Sequence, residues 1–302
     1  MTTLYLTEQN SFVSLDAETL IVKIPEDAAT GRAKQRKRLP LMQITQVIVY
    51  GNITLSTPAV GALLAKQADV CYLTRFGKFV GRIAGDEHKH GNLRLLQGRA
   101  HDDPCAALHV ARICVRSKLH NQRTQLLRAN RTRKADAVAQ AADRIAASLK
   151  LLDALPEDDQ PAPDPARPQA DTVMGQLMGI EGAGAAAYFK GLAALIDAEW
   201  NFRGRNKRPP TDPVNALLSY GYTLLTNLAI GSAQVVGFDP YIGYLHSTQY
   251  SKPALALDII EAFRAPIVDS VVLTLINNRA LTPDDFEETY GAYTLSDAGR
   301  RT

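Results

Sequence analysis

Hydrophobic and polar positions in the first 90 residues follow the pattern of short β-strands. Four runs of β-branched and apolar residues are separated by turn formers: ETLIVKIP, QITQVIVYG, ADVCYLT and GKFVGRI. Such runs favour strands. Between them, STPAVGALLAKQA has helical spacing, and Ser56 is suited to cap the start of that helix. The pattern predicts a small, sandwich-like, β-rich domain over residues 1–90.

From residue 91 onward, apolar positions recur three or four residues apart, as on one face of a helix. In PCAALHVARICVRSKLHNQRTQLLRANR this face carries Leu108, Ala111, Val115, Leu119, Gln122 and Leu126. Three later segments are long and apolar enough for buried helices: MGIEGAGAAAYFKGLAALI, PVNALLSYGYTLLTNLAIGSAQVVG and PALALDIIEAFRAPIVDSVVLTLINN. The predicted fold class is therefore α+β, with the β-rich domain followed by a larger all-α domain over residues 91–302. The proline-rich stretch 156–168 is predicted to be an exposed connector.

Composition places the chain among globular proteins. It has 302 residues, of which 46% are hydrophobic and 22% charged. No apolar run is long enough to predict a membrane span, and MTTLYLTEQN lacks the pattern of a secretory signal. The three cysteines have no C-x-x-C spacing, so reduced thiols are expected rather than a disulfide or zinc framework. We expect a cytoplasmic protein without membrane association.

Positive charge is concentrated in two stretches, although the formal net charge is only +3. Between Arg112 and Lys134 there are eight Arg or Lys residues and no Asp or Glu, whereas ordinary exposed helices mix both signs. A second cluster lies in NFRGRNKRPPTDP. A solvated helix and a loop kept soluble by charge are the alternatives, but the clustering favours binding of a polyanion through its phosphates. The candidate contacts are Lys118, Arg123, Arg128, Arg203, Arg205, Lys207 and Arg208.

Acidic residues within the apolar helical segments are the candidates for chemistry. Asp258 and Glu261 are three residues apart and share one helical face, with His246 just upstream. Glu181 stands among small and apolar residues in another segment. Each alone has an ordinary structural explanation. Together, three carboxylates and one imidazole suit Mg²⁺ or Mn²⁺ rather than structural zinc, and a cation beside a basic surface suits phosphodiester chemistry.

Three motifs in the helical part resemble a known family. They are, in order, GIEGAGAAAYF, RNKRPPTDPVNALLSYGYTLL and GFDPYIGYLHSTQYSKPALALDIIEAFRAPIVDSVVLTLIN. With the β-rich part and KLHNQRTQLLR at 118–128, the resemblance covers essentially the whole chain. The family is the universal integrase of CRISPR spacer acquisition, CRISPR-associated protein one.

The resemblance implies a DNA endonuclease and integrase that depends on Mg²⁺ or Mn²⁺. Glu181, His246 and Glu261 match the family's catalytic metal ligands. Asp258 matches a further acid, either an accessory ligand or a group behind the ligands. The implied reaction is attack by the 3′-hydroxyl of a short foreign duplex on a phosphodiester at the edge of a CRISPR repeat. With water as the nucleophile, the same site gives nuclease activity.

The resemblance also implies partners, and the chain departs from the family's pattern after the metal-binding glutamate. The basic residues would bind double-stranded DNA, and domain 1–90 would form most of a homodimer interface, leaving domain 91–302 as the catalytic domain. Such homodimers flank a dimer of a small ferredoxin-like protein, CRISPR-associated protein two. Where many relatives have an arginine after the metal-binding glutamate, this chain has alanines at 185–187, so we expect one phosphate contact to be missing or moved.

Two other functions fit parts of the same pattern. A non-catalytic DNA-binding assembly subunit would need the basic helix and loop but no working acidic site. A metal-dependent hydrolase of a small phosphate ester would need the acidic site but no extended contact with DNA.

Overall fold

The computed structural model describes residues 2–27, 31–75, 79–83, 85, 91–157, 172–206, 209–296 and 298–299. Lys207, Arg208 and most of the connector predicted at 156–168 lie outside these ranges. The chain divides into two compact units, Met1–Lys89 and His90–Thr302. The β-rich and then mostly helical architecture predicted from the sequence is confirmed.

The first unit consists mainly of two four-stranded sheets. Its strands and helix are β1 Thr2–Leu6, β2 Phe12–Asp16, β3 Thr19–Ile24, β4 Gln35–Pro40, β5 Ile44–Tyr50, β6 Thr54–Leu55, α1 Thr57–Ala65, β7 Asp69–Leu73 and β8 Phe79–Ile83. The sheet orders are β1-β5-β7-β8 and β4-β3-β2-β6. β5 pairs in parallel with both β1 and β7. Its last four residues are all buried, as expected of a strand covered on both faces.

One apolar core joins the two sheets and α1. Val13 and Val22 from one sheet, Val47 and Val70 from the other, and Leu63 from α1 belong to the same buried cluster. Ser56 caps α1 as predicted, because its side chain accepts from the Ala59 N–H. The sandwich-like arrangement therefore follows from the alternation of apolar side chains along the strands.

The second unit is built mainly from helices. They are α2 Gly91–Asp102, α3 Pro104–Arg133, α4 Asp136–Asp153, α5 Val173–Ala193, α6 Pro213–Val236, α7 Ala254–Glu261 and α8 Ser270–Asn277. Short 3₁₀ turns cover Ala198–Trp200 and Pro283–Asp285, and a π-helical turn, Arg264–Asp269, joins α7 to α8. Among the described residues, no helix is both long and apolar enough to cross a membrane.

A small hairpin corrects the prediction of an all-α second domain. Strands β9 Phe286–Thr289 and β10 Ala292–Leu295 pair in antiparallel fashion. Tyr290 and Gly291 both have positive φ, 51° and 76°, which is the backbone that a tight hairpin turn requires. The strands are short and mostly solvent-facing, so their sequence carries little apolar alternation.

Helices α3, α4 and α5 approach one another closely through a glycine. A Cβ placed on Gly191 of α5 would lie 2.7 Å from the Cβ of Ala141 and 2.9 Å from a methyl carbon of Leu126. Gly184, two turns earlier, faces Leu119 of α3 in the same way. This close approach sets α5 directly against the middle of α3, and the site described below depends on that position.

We predict that Gly191→Ala lowers the free energy of unfolding by about 1–3 kcal/mol, because the new methyl group overlaps a side chain fixed to the backbone of α4. The matched control is Gly179→Ala in the same helix, where a Cβ meets nothing within 4 Å. The control should raise the free energy of unfolding by up to about 1 kcal/mol through helix propensity. Chemical denaturation measures both, and equal effects in the two variants would contradict the close contact between α4 and α5.

Candidate metal centre

Two acids and a lysine from three helices meet in the second unit. Lys118 of α3 donates a hydrogen bond to Glu181 of α5, and its Nζ lies 2.6 Å from Oε2 of Glu261, the last residue of α7. The side chain of Glu261 is 4% exposed and that of Glu181 is 26% exposed. One ammonium group therefore sits between two carboxylates, one of them at the bottom of the site and the other near its open side.

His246 approaches the same acids from the loop between α6 and α7. Its Nδ1 lies 2.7 Å from Oδ1 of the buried Asp258, and its Nε2 lies 3.9 Å from Oε1 of Glu261. In the neutral ring, the contact with the Asp258 carboxylate places the hydrogen on Nδ1. The Nε2 lone pair is then free to bind a cation, which is the arrangement that orients histidine in many metal sites.

Asp258 holds the histidine loop in place. Besides the imidazole, its carboxylate accepts backbone N–H bonds from Tyr244 at 2.6 Å, Leu245 at 3.0 Å and His246 at 2.9 Å. The sequence left two roles open for Asp258. Both of its oxygens are already hydrogen-bonded to the loop. These contacts therefore favour a role in orienting the ligand His246 over direct binding of the metal as an accessory ligand.

A second set of contacts fixes the other side of this loop. Gln97 of α2, a buried amide, donates to the carbonyl oxygens of Asp239 and Ile242 and accepts from the Asp239 N–H. Gly243 lies so close to α7 that a Cβ there would be 2.6 Å from the carbonyl carbon of Ala254. Sequence reasoning missed both residues, since a glutamine in GNLRLLQGRAHD and a glycine in a loop carry no sign of these partners.

Basic side chains surround Glu261. The Nη2 atom of Arg264 lies 3.3 Å from Oε1 of Glu261, opposite the oxygen that faces Lys118. Burial by itself raises the pKa of this carboxyl group, but Lys118, Arg264 and His246 outweigh burial and hold its pKa below the usual value. Glu261 is therefore a buried carboxylate that stays ionised because cations compensate it.

The predicted phosphate contacts fall into different environments. Arg128 and Arg203 are exposed, and Arg123 is half-buried. We revise the prediction for Arg205, because its guanidinium donates to Asn215 at 2.7 Å and Ser219 at 3.0 Å and lies over the Tyr222 ring. We also revise the prediction for Lys118, whose ammonium pairs with the carboxylates of Glu181 and Glu261.

The basic face of α3 is also less free than the sequence suggested. Arg116 pairs with Asp153 near the end of α4, and Arg112 donates to carbonyl oxygens just beyond that helix. Arg133 pairs with Asp197. The lack of acids within α3 is therefore partly offset by acids and carbonyls that other elements supply.

As arranged, the described residues include no group of three or more His, Cys, Asp or Glu side chains that could hold a metal ion. The Lys118 ammonium lies between Glu181 and Glu261, in the position where these two carboxylates would share a metal ion. The donors themselves fit Mg²⁺ or Mn²⁺, since they combine two carboxylates with an oriented imidazole. Within the same described residues, Oε2 of Glu261 is buried and receives no well-directed hydrogen bond, although the ammonium is 2.6 Å away. An oxygen of this kind can accept a cation.

Comparison with known proteins agrees with the fold and identifies the family. The family model described as CRISPR associated protein Cas1 matches residues 4–302. A CRISPR-associated endonuclease Cas1 of Rhodospirillum rubrum is 35% identical, over 100% of this chain and 84% of that protein. The two matches assign the chain, with its β-rich and helical units, to a class of CRISPR-associated proteins. The chain belongs to the Cas1 family of CRISPR-associated endonucleases.

Two solved structures are similar over nearly all of the chain. A CAS1 protein from Thermotoga maritima has a TM-score of 0.78 and 25% identity, covering 99% of this chain and 86% of that one. A chain of a partial Cas6-RT-Cas1–Cas2 complex has a TM-score of 0.65 and 26% identity, covering 99% of this chain and 85% of that one.

We predict that Asp258→Asn lowers the free energy of unfolding by about 2–4 kcal/mol, because an amide keeps one acceptor oxygen and turns an N–H₂ group toward buried donors. His246 should also lose its fixed ring orientation, which the ¹⁵N chemical shifts of the imidazole report. Asp143→Asn, an exposed acid of α4, is the control and should change stability by less than about 0.5 kcal/mol. Unchanged stability and imidazole shifts in Asp258→Asn would contradict the positioning role.

Proposed function

We propose that the chain is a metal-dependent integrase that joins short foreign DNA to a CRISPR repeat array. The observation that carries this proposal is the meeting of Glu181, His246 and Glu261, which come from three separated stretches of a Cas1-family chain. The reaction is attack by a 3′-hydroxyl on a phosphodiester, and water in its place gives the nuclease reaction.

The site's own residues divide the work between binding and orientation. Glu181, Glu261 and Nε2 of His246 would hold Mg²⁺ or Mn²⁺, which polarises a phosphate and neutralises charge on the reacting oxygens when bound. Asp258 fixes the imidazole, and Lys118 and Arg264 keep Glu261 ionised. The DNA approaches from the open side, since the Glu181 and His246 side chains are 26% and 27% exposed.

The proposed partners follow from charge and from the relatives. Exposed Arg128 and Arg203 can contact DNA phosphates, and Arg123 can contribute from its half-buried position, while Lys207 and Arg208, outside the described residues, remain predicted contacts. The similarity to a chain in a Cas1–Cas2 complex supports a Cas2-type partner, CRISPR-associated protein two. The unit Met1–Lys89 would form the homodimer.

We predict that Glu181→Gln lowers the rate at which a labelled duplex is joined into a repeat plasmid by about 100-fold or more, because the amide cannot serve as an anionic ligand. Binding of the duplex should stay the same. Glu199→Gln, an exposed glutamate of the same unit, should leave joining unchanged. The assay compares Mn²⁺, Mg²⁺ and a chelator, using the full chain with its Cas2-type partner.

Other outcomes of this assay would favour the rival functions. If joining survives in Glu181→Gln while duplex binding is unchanged, the metal mechanism is wrong. If the unaltered chain binds the duplex but joins nothing, a non-catalytic DNA-binding subunit becomes the better description. The salt dependence of duplex binding tests the second rival. Several phosphate contacts make affinity fall steeply with salt, so weak and salt-insensitive binding would favour hydrolysis of a small phosphate ester.

A further inference from the structure

Lys118 is unusual among the cations of α3 because it is buried. Its side chain is 11% exposed, and its ammonium touches both Glu181 and Glu261. Other basic residues of this helix, such as Arg116 and Arg133, pair with acids at the exposed surface. A lysine is rarely buried to this extent unless its charge is compensated, so this position calls for an explanation.

Charge balance gives that explanation. Arg264 compensates one oxygen of Glu261, and Lys118 faces the other oxygen and also Glu181. Without the ammonium, the described cations within ion-pair distance of this buried carboxylate would be Arg264 and His246, both on its Oε1 side. A buried charge that loses part of its compensation destabilises the fold. In the protein without metal, Lys118 therefore supplies the positive charge that the two acids need.

The same position conflicts with a bound metal. Mg²⁺ and Mn²⁺ bind carboxylate oxygens at about 2.0–2.2 Å, closer than the ammonium now lies to Oε2 of Glu261. A divalent ion between Glu181 and Glu261 would stand within a few ångströms of Nζ, and two cations at that distance in a half-buried site repel each other strongly. Lys118 has a flexible four-carbon side chain and can move away.

We infer that Lys118 is an internal cation that occupies the metal position in the metal-free protein and competes with Mg²⁺ or Mn²⁺ for Glu181 and Glu261. This inference rests on the proposed metal-dependent function. Lys118 is a positioning residue, because it would set the affinity of the site for metal and it compensates the charge of Glu181 and Glu261. Ion binding then exchanges one cation for another, so the two acids are compensated in both states.

The test measures Mn²⁺ binding directly, without DNA and without activity. In Lys118→Met, a side chain of similar length has no charge, and the dissociation constant for Mn²⁺ should fall about tenfold or more relative to the unaltered chain at the same pH. Lys118→Arg keeps a competing charge and should bind Mn²⁺ no more tightly than the unaltered chain. Lys190→Met removes an exposed lysine from α5 and should leave Mn²⁺ affinity unchanged. Calorimetry or the paramagnetic signal of free Mn²⁺ supplies the constant.

Thermal unfolding gives a second, independent measurement. In the absence of metal, Lys118→Met should unfold at a lower temperature than the unaltered chain. Mn²⁺ should raise the unfolding temperature of Lys118→Met by more than it raises that of the unaltered chain. If Lys118→Met does not fold, Lys118→Gln replaces it with the same expectations. Unchanged or weaker Mn²⁺ affinity in the folded variant would overturn the inference.

Failure of the inference is distinguishable from failure of the proposed function. Suppose that the unaltered chain binds Mn²⁺ and that Glu181→Gln removes this binding, but Lys118→Met binds no more tightly. Only the competing role of Lys118 is then wrong. If neither the unaltered chain nor Lys118→Met binds Mn²⁺, the metal centre itself is wrong and both proposals fall.

Discussion

A buried carboxylate at the end of α7 is the constraint on which the site depends. Glu261 is 4% exposed and ionised, and such a group is tolerated only where positive charge compensates it. That charge comes from Lys118 in the middle of α3 and from Arg264 just after α7. The position of α5 against α3 then brings Glu181 to the same ammonium. The electrostatics of the site therefore depend on the packing of the helices, because a shift of α3 would separate Lys118 from both acids.

The histidine loop is held by a second, separate set of contacts. Asp258 of α7 accepts hydrogen bonds from backbone N–H groups of the loop, and Gln97 of α2 donates hydrogen bonds to its carbonyl oxygens. Several of its carbonyl and N–H groups are thus satisfied without regular secondary structure, as buried backbone requires. The contacts that hold this loop come from the protein itself, so the imidazole would lose little conformational entropy on becoming a ligand.

The sequence alone predicts the acids of the site better than it predicts their partners. A polar residue in an apolar helical segment is visible in one dimension, and helical spacing puts Asp258 and Glu261 on one face. Spacing cannot say what that face meets, and here Asp258 turns to the histidine loop while Glu261 turns to Lys118. Lys118 looks like one more phosphate-binding cation of α3, because its partner Glu181 is 63 residues away in the chain.

The π-helical turn Arg264–Asp269 links the site to the buried core. Residues five apart in an α-helix point about 140° away from each other, whereas i→i+5 bonding stacks them one turn apart. Arg264 and Asp269 can therefore both reach Tyr222, with the guanidinium 4.6 Å from the ring centre and the phenol donating to the Asp269 carboxylate at 2.6 Å. Tyr188 donates to the other oxygen of Asp269, which is fully buried.

Burial raises the pKa of Asp269 to about 6, even though two hydroxyl donors and two nearby arginines favour its charged form. A regular α-helical turn would point Arg264 or Asp269 away from Tyr222. The guanidinium beside Glu261 would then lose the aromatic face that holds it in place. The irregular turn is thus the physical means by which a rigid apolar core fixes a cation next to the deepest carboxylate of the site.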